Sequence, residues 1–380
     1  MANTLTAIMD KILARALLAL RKSVPITLAV DTQYDTEAAK KGDVITIEKP
    51  ISLGVSNVTP SNAFPSLGDQ TPTAAEITLN RWRKSDPFYL SDKDLGTIDA
   101  SKQFLPGAVS EAVSQLADDV NAYIASLYTA FYGFCGTPGT TPFLTDTSCA
   151  RDARKVLNEQ RALKSDRSLI LDYDAYAAAM GLAALANASA RGNDNVMEKG
   201  EIVNALGFNW FEDGDIPTHT LGAAGTALVD DSGAVAVGTK TIHMDGFTTK
   251  PSVGDIFTIA GDTQTYVVTA ATDLVGTDSD VSFEPGLQVA LPSGDNNEAV
   301  TFKASHVANL ALQRGAIGFA SRPLASAPGS KRIVRQLGDP ISGLTMRMEM
   351  IDVYKATMWE LDILYGASVI RRELGARVAG

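Results

Sequence analysis

The sequence predicts an α+β fold that carries a small inserted all-β domain. Apolar residues recur at helical spacing in two stretches, residues 5–20 and 109–131. Residues 344–350 instead alternate between apolar and polar side chains, which is the period of a half-buried strand. Between residues 221 and 304, Gly, Thr, Val and Asp dominate and no helical spacing remains. We therefore predict helices and sheets in separate parts of the chain, with residues 221–304 as the inserted domain.

The net charge and the cysteine content argue against some classes of protein. The formal net charge of −11 argues against a nucleic-acid-binding surface spread over the whole molecule. It fits an ordinary acidic cytosolic protein, and also a container wall that does not hold DNA tightly. The two cysteines, Cys135 and Cys149, have no metal-binding spacing and indicate a reduced, cytosolic origin.

Residues 1–33 are predicted to form an amphipathic N-terminal arm. Asp10, Lys11 and Arg15 interrupt the apolar run that a signal peptide needs. No stretch reaches the roughly 20 apolar residues of a membrane span. A helix lying on a membrane surface is one interpretation, but docking on a protein is the more common case and is our prediction.

Residues 34–98 are predicted to form an extended hairpin loop. Residues 43–49 and 76–83 alternate like strands and flank a segment rich in Pro, Ser, Thr and Asn, with its tip at residues 56–70. The hairpin has too few apolar residues to build a core of its own. It is therefore expected to lie on another surface, either its own body or a neighbouring subunit.

The middle of the chain predicts a long helix followed by an α/β stretch. The helix runs from about Pro106 to Phe131 and would span roughly 40 Å at 1.5 Å per residue. Residues 148–220 then alternate between helical and strand patterns. The predicted elements there are helices near 150–163 and 175–188, a buried strand at 168–171, and a short helix that turns into a strand at Gly207 within 201–211.

Short β runs separated by Gly, Asp, Asn and Pro turns fill the inserted domain. This spacing is typical of a small sandwich or barrel. The predicted strands are residues 255–260, 265–270, 281–284 and 299–303.

Four motifs carry a family resemblance. They are G-L-T-M-R at 343–347, L-D-I-L-Y-G at 361–366, I-R-R-E-L-G-A-R at 370–377, and N-L-A through R-P-L at 309–324. This wording resembles the major capsid (coat) proteins of tailed double-stranded DNA bacteriophages, in the group with an inserted β domain. The chain departs from the family pattern at Arg372, where the family often has proline.

The resemblance implies the tailed-phage major capsid fold. Its parts would be the arm (1–33), the extended hairpin loop (34–98), a peripheral domain with a long spine helix (99–147, completed by 333–380), an axial α/β domain (148–220, completed by 305–332) and a β-barrel-like insert (221–304). The implied function is structural: many copies would self-assemble into an icosahedral capsid shell that encloses the phage genome.

The resemblance also implies partners and a location. The chain would bind itself in the hexamers and pentamers of a closed shell, and would meet scaffolding, portal and possibly decoration or cement proteins. Packaged DNA would be touched only non-specifically, and no membrane is involved. The expected location is the virion capsid, assembled in the cytoplasm of the bacterial host.

No catalytic, metal or cofactor site is predicted. Residues 233–241 approach a phosphate-binding loop, but Thr239 displaces the lysine and no helix pattern follows. His219, His243 and His306 lie in different segments, with no partner indicated for general-base chemistry. Paired aspartates such as those at 213 and 215 lack the full calcium-loop spacing and are usual in turns. We predict that the chain is not an enzyme and has no cofactor.

Two groups of residues are candidates for a subunit interface. Near the base of the hairpin, basic and aromatic side chains cluster; they could form a stacking platform for nucleic acid, but Arg and Trp there are more typical of protein–protein contacts. The tail offers a second charged group. The candidates are Arg81, Trp82, Arg83, Lys84, Arg371, Arg372, Glu373 and Arg377.

Two other functions stay open from the sequence. A shell protein of a non-viral nanocompartment would share the same fold. A β-rich adhesion or hydrolase protein would explain the composition of residues 221–304, but it would explain neither the arm nor the long helix.

Overall fold

The computed structural model describes residues 3–32, 40–49, 60, 73–100, 107–187, 196, 199–231, 233–291, 298–324, 332–354 and 356–380. The predicted hairpin tip, residues 56–70, lies outside these ranges except for Pro60, and so does the predicted helix start at Pro106. Helices and mainly antiparallel sheets occupy separate stretches of the chain, so the predicted α+β class is confirmed.

The first part of the chain joins three helices to four short strands. Its elements are α1 (Asn3–Ser23), β1 (Val44–Glu48), β2 (Ala74–Thr78), β3 (Arg81–Lys84), β4 (Phe88–Ser91), α2 (Asp92–Ala100) and α3 (Gly107–Ser126). The predicted apolar stripe of the long helix is buried along α3, at positions that include Val113, Val120 and Ile124. The last predicted turn, Leu127–Ala130, is 3-10 helix, so α3 itself spans about 30 Å at 1.5 Å per residue.

The central part alternates helices and strands. Its elements are β5 (Gly133–Gly136), α4 (Ser148–Glu159), β6 (Arg167–Leu171), α5 (Tyr173–Gly181), α6 (Ala183–Ala186), β7 (Asn204–Ala205), β8 (Phe208–Glu212) and β9 (Thr218–His219). The prediction of a short helix before Gly207 is wrong. Leu206 and Gly207 have φ angles of +56° and +85°, and two such residues in a row form the tight turn of a β-hairpin, here between β7 and β8.

Residues 224–302 form a six-stranded antiparallel sheet with its own core. The strands are β10 (Ala224–Val229), β11 (Thr241–Thr249), β12 (Ile256–Ile259), β13 (Tyr266–Ala271), β14 (Ser279–Glu284) and β15 (Val300–Phe302). Their order is β10-β11-β14-β13-β12-β15, and β10 returns to the last strand through a bridge between Leu228 and Ala299. The sheet therefore nearly closes on itself around aromatic residues such as Phe257, Tyr266 and Phe283. We call it the inserted barrel.

The last strands complete two further sheets. They are β16 (His306–Gln313), β17 (Ile317–Arg322), β18 (Ile333–Gly338), β19 (Thr345–Val353), β20 (Ala356–Val369) and β21 (Gly375–Ala379). The central sheet has the order β5-β21-β16-β6-β8-β7, and β9 pairs with the start of β16. In the second sheet, which we call the peripheral sheet, β20 pairs with β19 and β17 along one edge and with β3 and β4 along the other; β18 lies beyond β19.

The predicted alternation in β19 is confirmed on one face of the strand. Met346, Met348 and Met350 are buried against the helices. The opposite face is also covered, since Arg347 and Glu349 are only 6% and 8% exposed. The period-2 pattern therefore marks the two faces correctly but does not show that both are buried.

The N-terminal helix packs on its own chain. The apolar face of α1 lies against α3, β18 and β19. Ion pairs join Asp10 in the first half of the helix to Arg335 (3.4 Å) and Arg21 near its end to Asp339 (3.3 Å). Burial of six apolar side chains contributes roughly 10 kcal/mol, so the protein surface on which this helix docks belongs to its own chain. No helix in the ranges given above is long and apolar enough to cross a membrane.

The packing of α1 predicts a strong contrast between two leucines of that helix. Leu20 is fully buried and Leu18 is 46% exposed. We expect Leu20→Ala to lower the free energy of unfolding by about 2–5 kcal/mol and Leu18→Ala to change it by less than about 0.5 kcal/mol. Urea unfolding of the two variants measures the difference, and equal values would contradict the docking of α1 on its own body.

Candidate subunit interface

The base of the predicted hairpin lies across the peripheral sheet. Strands β1 and β2 pair over five residues, from Val44 opposite Thr78 to Glu48 opposite Ala74; we call this pair the stem. Ile77 and Leu79 are buried in a small cluster with Leu364 of the sheet. The prediction that the hairpin cannot form its own core agrees with this arrangement, because the stem borrows a surface from its own body.

Gly366 makes this crossing possible. A Cβ atom at this position would lie 2.2 Å from the carbonyl oxygen of Thr78 and 2.9 Å from its carbonyl carbon. The break in the apolar run at Gly366 predicts either a bend or a close approach to another chain, and the structure shows a close approach. The approaching backbone belongs to the same chain, not to another one.

The stem and the helices occupy opposite faces of the peripheral sheet. Tyr365 donates a hydrogen bond from its hydroxyl to Asp119 on α3. Its neighbours on β20, Leu364 and Gly366, therefore point to the other face, where the stem lies. We call this second face the outer face.

Strand β3 holds the first four candidate residues and presents them on both faces. Arg81 and Arg83 point towards α3, where they pair with Asp119 at 3.8 Å and 3.2 Å. The Arg81 guanidinium also lies 4.1 Å from the centre of the Tyr123 ring. These two arginines fix β3 to the long helix of their own chain.

Trp82 and Lys84 point to the outer face. The indole Nε1 of Trp82 donates to Asp362 at 3.3 Å, and Lys84 pairs with Glu360 at 3.3 Å. The Trp82 ring remains 46% exposed. Of the four residues on β3, Trp82 therefore offers a large, oriented and accessible apolar surface to a neighbouring molecule.

A charged network beneath Trp82 was not found from the sequence. Arg347 donates from Nε to both carboxylate oxygens of Asp362, at 2.9 Å and 3.0 Å, and lies 3.0 Å from Glu349. Arg332 pairs with Glu349 from the other side at 2.6 Å. Burial alone would lower the pKa of Arg347, but Asp362 and Glu349 raise it overall, so the guanidinium stays charged. Only the pairing of β19 with β20 brings these groups together.

Partly exposed apolar side chains lie farther along the outer face. Ile351 on β19 lies opposite Met358 on β20, and Met358 lies opposite Tyr89 on β4. Tyr89 is 62% exposed, and Tyr354 in the turn between β19 and β20 is 87% exposed. Together with Trp82, these residues define what we call the outer patch. Exposed aromatic side chains grouped in this way are typical of protein–protein contacts.

The tail candidates divide into two groups. Arg371 pairs with Glu373 at 2.7 Å and, like Arg372, is partly exposed. Arg377 is completely buried. The prediction that Arg377 belongs to a subunit interface is therefore corrected, because no neighbouring molecule can reach its side chain.

Arg377 instead joins three parts of its own chain. From β21, its Nε donates to the backbone oxygen of Tyr128 at 3.0 Å, and its Nη1 donates to the backbone oxygen of Gly254 at 2.7 Å. The guanidinium also lies 4.9 Å from the centre of the Tyr128 ring. Burial lowers the pKa of Arg377 to about 9, which still leaves it charged at neutral pH. The residue fixes the end of the long helix and the inserted barrel to the central sheet.

A buried histidine contact lies at the same junction. The Tyr128 hydroxyl is 3.0 Å from Nδ1 of His219, and Nε2 of His219 is 2.9 Å from Oδ1 of Asp255. The order hydroxyl–imidazole–carboxylate resembles that of a catalytic triad. However, Tyr128, His219 and Asp255 are only 9%, 3% and 0% exposed, which leaves no route for a substrate. The contact is a structural link between the inserted barrel and the body. Among the residues that the structure describes, no group of three His, Cys, Asp or Glu side chains could hold a metal ion.

The Asp255 carboxylate is held as a charged acceptor. Burial alone would raise its pKa, but the bond to His219 and three backbone N–H donors lower it below the ordinary value. The backbone donors are Ser252 at 2.9 Å, Ala223 at 3.1 Å and Gly222 at 3.2 Å. The carboxylate thereby holds the residues between β9 of the central sheet and β10 of the inserted barrel.

Gly366 generates a prediction about the stem. We expect Gly366→Ala to lower the free energy of unfolding by about 1–3 kcal/mol, because the added methyl group collides with the backbone of β2. Proteolytic cleavage of the stem should become faster as the strands separate from the sheet. Gly96→Ala is the control, since a Cβ there meets no atom within 4 Å. Equal stem cleavage in both variants would contradict the crossing.

His306 generates a prediction about pH. Burial lowers its pKa to about 4 from an ordinary 6.5, so the unfolded chain binds the proton more readily between these two values. The contribution of neutral His306 to the free energy of unfolding is therefore fully present above pH 6.5. It falls by up to about 3 kcal/mol as the pH drops towards 4. His306→Gln should flatten this part of the curve of unfolding free energy against pH. An unchanged pH dependence in that variant would show that other groups cause it.

Comparisons with known proteins give similar solved structures. No protein-family model and no curated protein matches the chain. A chain of Mycobacterium phage Che8 is 11% identical, with 91% of this chain and 92% of that chain covered and a TM-score of 0.42. A chain of the capsid of Cyanophage P-SCSP1u is 13% identical, with 91% of this chain and 86% of that chain covered and a TM-score of 0.42. A chain of a virus-like particle from Pyrococcus furiosus is 9% identical, with 97% of this chain and 98% of that chain covered and a TM-score of 0.42.

Proposed function

We propose that the chain is the major capsid protein of a tailed bacteriophage, which assembles with copies of itself into the icosahedral shell around the genome. The observation that carries the proposal is the anchored stem. Glu48 and Ala74 are held side by side on the peripheral sheet, so residues 50–72 begin and end at one fixed place. That segment contains a single charged residue, Asp69, and too few large apolar residues for a core of its own. A surface on a neighbouring subunit would complete it.

The capsid motifs of the sequence fall at the places where this anchoring happens. G-L-T-M-R opens β19 and contributes Arg347 to the charged network, and L-D-I-L-Y-G supplies Asp362 and Gly366. The family resemblance is thus carried by residues with a mechanical task. That task is to hold β19, β20 and the stem in one arrangement.

The distribution of charge supports a shell with distinct sides. Residues 221–304 contain eleven acidic and three basic residues, a net charge of −8 within a chain total of −11. Packaged DNA repels such a domain, so we place the inserted barrel on the side of the shell that faces away from the genome. Contact of DNA with the remaining surface would be non-specific.

Assembly would depend on many weak contacts. Each subunit would offer the outer patch and its hairpin to neighbours, and closed symmetry would repeat these contacts around hexamers and pentamers. Scaffolding, portal and decoration proteins are the further partners we propose, with assembly in the host cytoplasm and a final location in the virion. The role is structural, and the buried Tyr128–His219–Asp255 contact supports a non-enzymatic function because it is closed to substrates.

Particle size tests the proposal. Light scattering and negative-stain microscopy of the purified chain should show closed shells rather than monomers. A chain that stays monomeric at high concentration, without other phage proteins and with them, would contradict the proposed function. Shells filled with a specific protein cargo instead of DNA would identify a nanocompartment.

Deletion of residues 56–70 tests the role of the hairpin. The deleted chain should keep the unfolding free energy of the intact chain, because the stem and its anchor are unchanged, but it should not form shells. Circular dichroism and urea unfolding serve as the folding control. Normal shells from the deleted chain would show that the hairpin makes no necessary contact with neighbours.

A further inference from the structure

A cleft of about 380 Å³ lies where the stem, the inserted barrel and the tail meet. The stem contributes Lys49, the inserted barrel contributes Glu284, and the tail contributes Arg371, Arg372 and Glu373. Tyr132, which follows α3, closes one side. The cleft opens beside the point where residues 50–72 leave the body.

The charges in this cleft do not balance. Glu373 is occupied by Arg371, whose Nε lies 2.7 Å from its carboxylate. Glu284 is occupied by Lys240 at 2.9 Å. Within the described ranges, neither Lys49 nor Arg372 has a carboxylate partner. Among the residues that the structure describes, two cations of a chain with a net charge of −11 therefore lie unmatched in one cleft.

Arg372 carries the clearest sign of a missing partner. Its Nη1 is buried and has no hydrogen-bond acceptor among the residues that the structure describes. An unmet buried donor is costly. The Arg372 side chain as a whole is partly exposed, so a carboxylate that enters the cleft can reach the guanidinium and form a charge-assisted hydrogen bond. The neighbouring Tyr132 hydroxyl would help, because burial and the nearby Glu373 and Glu284 raise its pKa to about 12 and keep it protonated as a donor.

We propose that this cleft binds a carboxylate side chain of a second copy of the chain, an inference that rests on the proposed shell function. Each copy presents 44 acidic residues against 33 basic ones, so carboxylates are abundant on any neighbouring surface. Copies with this charge repel one another, and an unmatched guanidinium at a contact reduces that repulsion locally. Arg372 stands where the resembling family often has proline, so the contact is a property of this sequence.

A nucleic-acid phosphate is less well matched to the cleft. Phosphate binding gains strength from several cations that follow a backbone. Here two carboxylates, Glu284 and Glu373, share the cleft with the free cations. A single carboxylate from a protein fits the small positive excess better than a polyanion does.

Assembly of Arg372→Gln is the first test. Lys155→Gln is the matched control, because it removes the same charge from a side chain that is 72% exposed on α4. We expect the critical concentration for shell formation to rise about tenfold or more for Arg372→Gln and to stay within about twofold for the control. The urea midpoint of the isolated Arg372→Gln subunit should not fall, because no carboxylate of the described residues pairs with Arg372.

Zero-length cross-linking identifies the bound group. Shells of Arg372→Lys are treated with a carbodiimide, which joins an amine to a carboxylate in direct contact. We expect mass spectrometry to find position 372 joined to an Asp or Glu of another copy, in shells and not in separated subunits. Links only to Glu373 or Glu284 of the same chain would overturn the inference.

The remaining outcomes separate this inference from the proposed function. If the unmodified chain forms no shells, the proposed function itself fails. If shells form and Arg372→Gln matches Lys155→Gln, only the carboxylate contact is wrong. If Arg372→Gln shells keep their stability but lose co-purified nucleic acid, the cleft binds phosphate and the inference is likewise overturned.

Discussion

The architecture depends on one backbone crossing, that of β2 over Gly366 of β20. Any side chain at Gly366 would occupy the position of the Thr78 carbonyl group. Because the crossing is so close, Ile77 and Leu79 can reach the peripheral sheet and bury themselves beside Leu364. The stem is thereby fixed in place and direction, and the residues beyond it start from a defined point on the body. A loop attached in this way can extend from the body in one defined direction.

Buried charged side chains hold the strands around that crossing in one arrangement. Isolated buried ion pairs contribute little net stability, and their best-attested role is to select one arrangement. Arg347 and Asp362 stand directly opposite each other on β19 and β20, so a shift of register would separate them. Arg377 ties together the end of the long helix, the central sheet and the inserted barrel. The outer patch and the cleft at Arg372 are accessible to other molecules.

The sequence predicted the elements whose signal is local. The apolar stripes of α1 and α3, the alternation in β19 and four strands of the inserted barrel depend only on neighbouring residues. Strands β10 and β11 were not predicted. Their pairing contains register shifts near Gly225, and such irregularity weakens a period-2 pattern. The turn at Leu206 was mistaken for helix because its left-handed backbone leaves no mark in apolar spacing.

Contacts between residues far apart in the chain could not be predicted from a single sequence. Tyr128, His219 and Asp255 come together only through the packing of the inserted barrel on the body. Nothing in the sequence distinguishes Arg377 from the other charged residues of the tail, although arginine is seldom buried. Its burial is possible since two backbone carbonyls and the Tyr128 ring receive the guanidinium. The four residues Arg81–Lys84 are neighbours in the sequence, but their division between two faces follows only from the pairing of β3 with β20.

We propose that residues 50–72, beyond the stem, lie on the peripheral sheet of a neighbouring copy. Electron cryo-microscopy of assembled particles can trace these residues from the end of β1 to the start of β2. We expect continuous density for this segment over the adjacent subunit, in contact with its outer patch. Density that folds back onto the segment's own subunit, with no contact to a neighbour, would show that the hairpin does not join copies of the chain.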